Sequence, residues 1–174
     1  MRRIRYSVAM SLDGYIAGPN GEYDWIEVDP SASAGYFKAF YAQVDTAIMG
    51  RKSYEQAGGG VSPLKTYVLS RTLRPGTHGN VTVIGADALE RCAALREAPG
   101  KDIWLWGGGV AFGSLAAAGL VDTVEIGIVP VLLGGGRKVM DGCGRLKLVA
   151  RPSDLQLPGH TLVTYDGVKG KAAV

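Results

Sequence analysis

Residues 4 to 10 (IRYSVAM) have the β-branched and aromatic content of a strand, and SLDGYIAG carries a turn signal at Asp13-Gly14 before a further apolar stretch. From 33 to 44 the spacing becomes helical. Tyr36, Phe40 and Val44 recur every four residues along one stripe, leaving Lys38 and Gln43 to face water. TAIMG at 46–50 is a nearly continuous apolar run, as expected of a strand covered on both faces, and RKSYEQAG reads as a short helix ended by glycine. TYVLS at 66–70 and VTVIG at 81–85 are two more buried strands, parted by a Pro75-Gly76 turn. Residues 86–97 form a helix with Leu89, Cys92, Ala93 and Arg96 on one face. Strand 102–107, helix 110–119 and a long strand over 122–133 follow. Strands at 147–150 and 161–167 have no helix between them. The pattern predicts an α/β fold: a central mixed, mostly parallel sheet with helices on both faces and an antiparallel C-terminal end. The last residues, GVKGKAAV, are expected to fray.

Composition narrows the class. The chain has 174 residues, 47% hydrophobic and 20% charged, the profile of one globular domain over 1–174. At this size roughly 70% of the unfolded surface can be buried, so no disulfide or metal is required. Cys92 and Cys143 form no CxxC, and His78 and His160 lie far from both in sequence, so no metal site is expected. Nineteen Lys and Arg against sixteen Asp and Glu give +3, too mild an excess for nucleic acid but suited to a small anionic ligand. The N-terminal apolar run is broken by Asp13 and Gly14, too short for a membrane span and poor as a signal peptide; a cytoplasmic location is expected.

Chemistry in an open α/β sheet collects beyond the carboxyl ends of strands. Three strand ends here offer anion-binding groups. At the first, Gly50 turns the backbone and the next helix begins Arg51, Lys52, Ser53: two cations, a hydroxyl and unpaired amides at one helix start. At the second, Ser70 and Arg71 leave the sheet together, a hydroxyl and a planar cation suited to a phosphate monoester. At the third, Gly107, Gly108 and Gly109 follow a buried strand and precede a helix, so a pyrophosphate can approach bare backbone amides. A further run, Gly134 to Gly136, either lines a pocket or turns a corner. Gly107, Gly109 and Gly113 mimic a Rossmann fingerprint, but they come late, with only 65 residues to follow and no run of βα units; no GxxxxGK[ST] is present.

Taken in order, AMSLDGYIA (9–17), IMGRKSYE (48–55), VLSR (68–71), WGGGVAFGSLAAAGLVD (106–122) and IVPVLLGGG (128–136) resemble the dihydrofolate reductase-like fold. The likeness is closer to the reductase domain of bifunctional riboflavin-biosynthesis deaminase-reductases and its stand-alone relatives. The resemblance implies a three-layer fold and an NADPH-dependent reductase of a small heteroaromatic, a pterin or an aminopyrimidine. By the same resemblance Ala9 and Ile16 flank the nicotinamide, Arg51, Ser70 and Arg71 receive the 2′-phosphate, Lys52 and Ser53 contact the pyrophosphate, and Gly108 and Gly109 bring amides to it. Dihydrofolate reductases take a proton from a helix carboxylate. Here the helix face from Tyr36 onward carries no acid, leaving Asp13, Asp24, Glu27 and Asp29. Asp24, beside Trp25 in the expected covering loop, is the chosen donor, since burial against the ring would raise its pKa; Asp13 instead suits a cap on its turn. The missing helix acid keeps open a non-catalytic NADP-binding protein, and a flavoprotein is a third reading. The family often dimerises, and the apolar run 126–133 suits either a homodimer interface or a buried strand.

Overall fold

The computed structural model describes residues 1–152 and 156–167; the expected fraying beyond 167 lies outside them. In chain order the elements are β1 (Ile4–Ser11), β2 (Tyr15–Ala17), α1 (Pro30–Gln43), β3 (Val44–Gly50), α2 (Arg51–Gln56), β4 (Lys65–Leu69), β5 (Gly76–His78) and β6 (Val81–Ile84). There follow α3 (Ala88–Glu97), β7 (Asp102–Gly107), α4 (Gly109–Ala117), β8 (Thr123–Val129), β9 (Arg137–Lys138), β10 (Leu148–Arg151) and β11 (Thr161–Gly167). Nine strands form one sheet in the order β10-β11-β8-β1-β7-β3-β4-β6-β5, with β2 and β9 paired separately. The six strands from β8 to β6 run parallel. β11 and β10 close one edge antiparallel, as expected, and β5 closes the other in the same way.

Alternation along the central strands sends side chains into two layers. Ile4, Tyr6, Ile103 and Leu105 pack with Cys92 of α3 and Phe112 and Leu115 of α4, and Tyr6 stacks on Phe112 at 4.2 Å between ring centroids. On the opposite face, Phe40 of α1 packs with Val44, Ala47 and Leu64 and meets Trp104 edge-on at 4.9 Å. Tyr54 of α2 joins Met49 and Val68. The charged Arg5 is buried on this face and satisfied by Glu125 (2.8 Å) and Gln43 (2.8 Å).

Several boundaries move for identifiable reasons. α1 starts at Pro30, because the Asp29 carboxylate caps the amides of Ser31 and Ala32 and proline suits the first helical position. Val44 therefore belongs to β3 and not to the helical stripe. β8 stops at Val129, since Pro130 has no amide hydrogen to continue a ladder. Ile126 and Val129 are buried within it, so the apolar run is a sheet strand, with Leu132 exposed beyond its end. Leu89 is exposed, and α3 buries Cys92 and Arg96 instead.

One departure from a regular ladder opens the sheet between β1 and β7. Arg3 offers its carbonyl to Ile103 of β7, and in a strand the odd-numbered carbonyls that follow point the same way. The Ser7 carbonyl does not continue that ladder. It accepts from the Trp104 indole Nε1 at 2.8 Å. The β1–β7 register ends at Tyr6↔Leu105, while β1 stays paired with β8 as far as Ser11↔Val129. The two strands part, and a fork opens between their carboxyl ends. Trp104→Phe keeps a ring against Phe40 but leaves the Ser7 carbonyl without its donor. We expect it to lower the unfolding free energy by about 1–3 kcal/mol in urea denaturation; a loss below about 0.5 kcal/mol, within the usual surface range, would show that the fork does not need this bond.

Candidate active site

The fork holds a cavity of about 830 Å³. Val8 and Ala9 of β1 form one branch and Trp106 with Gly107 the other; Ile16 of β2, Tyr36 and Phe37 of α1 and Lys52 and Ser53 of α2 add to the walls. The three predicted anion-binding loops leave adjacent parallel strands at the same end, since Met49 pairs with Gly107 and Gly50 with Leu69. They therefore lie on one rim. Ala9, Ile16, Lys52, Ser53, Gly107, Gly108 and Gly109 all line the cavity.

The glycines divide by what a side chain would meet. Gly107 has φ +141°, a conformation that L residues rarely adopt, and its peptide to Gly108 is cis. A Cβ on either would touch little more than the Ser53 Oγ at 3.5 Å, so their bare backbone faces the cavity. Gly109 and Gly113 answer to the protein itself. A Cβ there would overlap the carbonyl oxygens of Lys138 and Asp141, because the chain from Lys138 to Asp141 lies directly on the first turns of α4. Gly50 stands behind the loop, where a Cβ would lie 3.7 Å from the Gly108 amide nitrogen.

The remaining predicted residues sit elsewhere. Ser70 is buried, its hydroxyl accepting from the amides of Thr72 and Leu73, so it shapes the turn after β4. Arg71 is exposed beside it, without an ion pair among the described residues. Arg51 points along its own helix to Glu55 at 2.8 Å. Asp24 is exposed and is not part of the cavity wall, so the burial against Trp25 that a donor role requires is absent. Asp29 is the α1 cap, and Glu27 is exposed and off the wall.

Sequence reasoning missed further cavity residues, Tyr36, Asp141 and His160 among them. Tyr36 reads as a core stripe position, yet its phenol lines the cavity beside the Ser7 hydroxyl, and burial pushes its pKa up while the Ser7 interaction opposes that. Asp141 lies in the segment over α4, whose place no local pattern announces. His160 lines the far wall, with Nδ1 3.1 Å from the Pro158 carbonyl and Nε2 covered, without a hydrogen-bond partner among the described residues. Burial raises the Cys92 thiol to about 12, an inert value. Among the described residues no group of three or more His, Cys, Asp or Glu could hold a metal, and no described helix is long and apolar enough to cross a membrane.

A parallel sheet forked at its carboxyl end, layered by helices, is the dihydrofolate reductase-like fold. The family model of the RibD C-terminal domain matches residues 2–164, and the chain belongs to that family of reductase domains. It is 37% identical over 152 residues to the uncharacterized protein YyaP of Bacillus subtilis, covering 78% of this chain and 79% of that protein. A crystal structure of a protein assigned to riboflavin biosynthesis from Shewanella sp. PV-4 superposes with a TM-score of 0.79 at 28% identity, over 97% of this chain and all of that one (100%). Dihydrofolate reductase from Enterococcus faecalis, solved with NADP(H), shares the fold at a TM-score of 0.68 and 19% identity, over 96% and 97% of the two chains.

Gly136 and Arg137, both on the cavity wall, are reached through a loop that Asp13 fastens. Its carboxylate accepts from the Ser11 hydroxyl (2.7 Å) and from the amides of Leu133 (3.1 Å) and Gly134 (2.7 Å). The Ser11 bond first, then these amides, hold its pKa below the ordinary value. A depressed carboxyl stabilises the fold above its unfolded pKa of about 4 and loses that contribution as pH falls through the folded value. Hydrogen-exchange protection of the Leu133 and Gly134 amides is thus expected to fall on acidification below about pH 4, and to be already lost at neutral pH in Asp13→Ala. Protection that is indifferent to both changes would remove the clasp.

Proposed function

We propose that the protein is an NADPH-dependent reductase that transfers a hydride to a small heteroaromatic substrate, a pterin or an aminopyrimidine. The observation that supports this most is the single cavity lined at once by Ala9 and Ile16, by Lys52 and Ser53, and by the open backbone of Gly107 and Gly108. A volume of about 830 Å³ is in the range of small-molecule sites. The chain offers the cofactor what its chemistry asks: a cation and a hydroxyl for the pyrophosphate, amides unshielded by side chains, and an apolar stretch of Ile16, Phe37 and Trp106 that keeps water from a planar ring. When bound, that group supplies the hydride, and the protein's part is to hold and orient. Arg71, exposed and uncommitted on the same rim, suits the extra phosphate that separates NADPH from NADH, with Ser70 beside it.

A second reading, a non-catalytic binder of the same cofactor, draws on the absence of a carboxylate from α1's cavity face and on the exposed position of Asp24. Stopped-flow hydride transfer to pterins and pyrimidines separates the two, since a pure binder gives none. We also propose a homodimer, to be checked by light scattering.

Titration with NADPH is expected to give a saturable fluorescence change; none up to millimolar cofactor overturns the proposal. Arg71→Ala is expected to weaken NADPH by about ten- to a hundredfold, the worth of a charge-assisted hydrogen bond, and NADH by less than about twofold. Equal losses for both would remove Arg71 from the 2′-phosphate.

A further inference from the structure

We infer that the Tyr36 phenol, set beside the Ser7 hydroxyl at the apolar end of the cavity, is the group that hands a proton to the substrate. The inference rests on the reductase reading and assigns within it the role for which α1 carries no carboxylate.

Several protic side chains line the cavity. Tyr23 is exposed, Arg137 donates to Gln56, and Lys138 lies on β9. Lys52, Ser53 and Asp141 gather near the Gly107–Gly109 loop and the start of α4, where Asp141 donates its amide to the Gly109 carbonyl. Away from it, Ala9, Gly127, Phe37 and Trp104 make an apolar wall interrupted by Tyr36, Ser7 and His160. His160 withdraws both nitrogens: Nδ1 faces the Pro158 carbonyl, which can only accept, and Nε2 is covered. Tyr36 is half-buried and held in place. Its ring stacks on Phe40 at 6.2 Å and meets Phe37 edge-on at 5.3 Å, while its hydroxyl interacts with Ser7. Ser7 and Ala9 share a face of β1, about 7 Å apart at the strand rise, so the phenol sits one side-chain step from the residue proposed to flank the nicotinamide.

The charged groups facing this phenol are Arg5 of β1 and Glu125 of β8, which neutralise each other at 2.8 Å. Burial raises the pKa of this half-buried phenol, so it keeps its proton at neutral pH, as a donor must. In the step itself, the carbon of a substrate C=N bond takes a hydride from the reduced cofactor and the π pair moves to nitrogen. That nitrogen takes the proton of the Tyr36 hydroxyl. The phenolate accepts a hydrogen bond from Ser7 and regains a proton from water after product leaves, so one C=N is reduced to CH–NH and one cofactor is oxidised.

Single-turnover hydride transfer with NADPH and, as probes, pterin, 7,8-dihydropterin and 2-amino-4-hydroxypyrimidine tests this. Tyr36→Phe keeps the ring and is expected to slow transfer by about 10²- to 10³-fold, the usual worth of a positioned acid, with NADPH affinity unchanged; Ser7→Ala is expected to slow it less. In protein labelled with 3-fluorotyrosine, the ¹⁹F resonance that disappears in Tyr36→Phe is expected to shift when 7,8-dihydropterin is added to the protein with NADP⁺. A Tyr36→Phe rate within about threefold of the parent, well short of an acid's usual contribution, or a ¹⁹F signal that ignores the probe, overturns the assignment and leaves the reductase reading intact. No transfer by the parent protein to any of the three probes overturns both.

Discussion

The Ser7 carbonyl is the point on which the molecule turns. A β1 carbonyl that faces β7 would ordinarily take a backbone amide, and here it takes the indole of Trp104. That substitution satisfies a buried acceptor without drawing the strands together. Beyond it β1 follows β8 and β7 ends in its glycine turn, so the crevice expected at the carboxyl end of a parallel sheet becomes a cavity that reaches between two strands. Ser7 gives its carbonyl to Trp104, and both Ser7 and Tyr36 line the cavity that the fork opens.

The chain after β8 forms the opposite wall, and it is fastened chiefly by backbone. Tyr6, buried under Phe112, donates to the Val139 carbonyl at 2.7 Å; Asp141 donates its amide to the Gly109 carbonyl; Asp13 collects the amides of Leu133 and Gly134. Such a wall requires close approach, and Gly109 and Gly113 permit it. A glycine-rich turn after a strand thus carries two demands at once. Gly107 and Gly108 leave backbone bare toward the cavity, while Gly109 and Gly113 leave room for another part of the same chain.

What could be read from the residues was what local pattern controls. Apolar runs of five or six residues between helical stretches place the parallel strands and therefore the rim, because loops after parallel neighbours must emerge together. Strands of two or three residues such as β2, β5 and β9 leave no periodicity to detect. The α1 start is hard to read because an aspartate ahead of a helix can be a free acid or a cap, and Asp29 is the cap. A donor role for Asp24 needs a burial that only tertiary structure can supply, and the loop leaves it in water. Tyr36 is hidden for the opposite reason. At four-residue spacing an aromatic reads as core, and nothing in the pattern tells that the space beneath it is the fork.

The position of Arg51 illustrates how far a contact in the fold constrains a binding role. Its pair with Glu55 is an exposed one four residues apart on a short helix, worth about 0.3–0.5 kcal/mol. A fixed hydrogen bond from guanidinium to a phosphate dianion is worth about 1.5–3 kcal/mol. The pair therefore stores the side chain near the rim without holding it there against an anion. Arg71 needs no such exchange, since it makes no ion pair among the described residues. The outer rim thus carries the guanidinium groups of Arg51 and Arg71 at strand ends, while the Ser7 and Tyr36 hydroxyls line the cavity together with the apolar Ala9, Phe37 and Trp104.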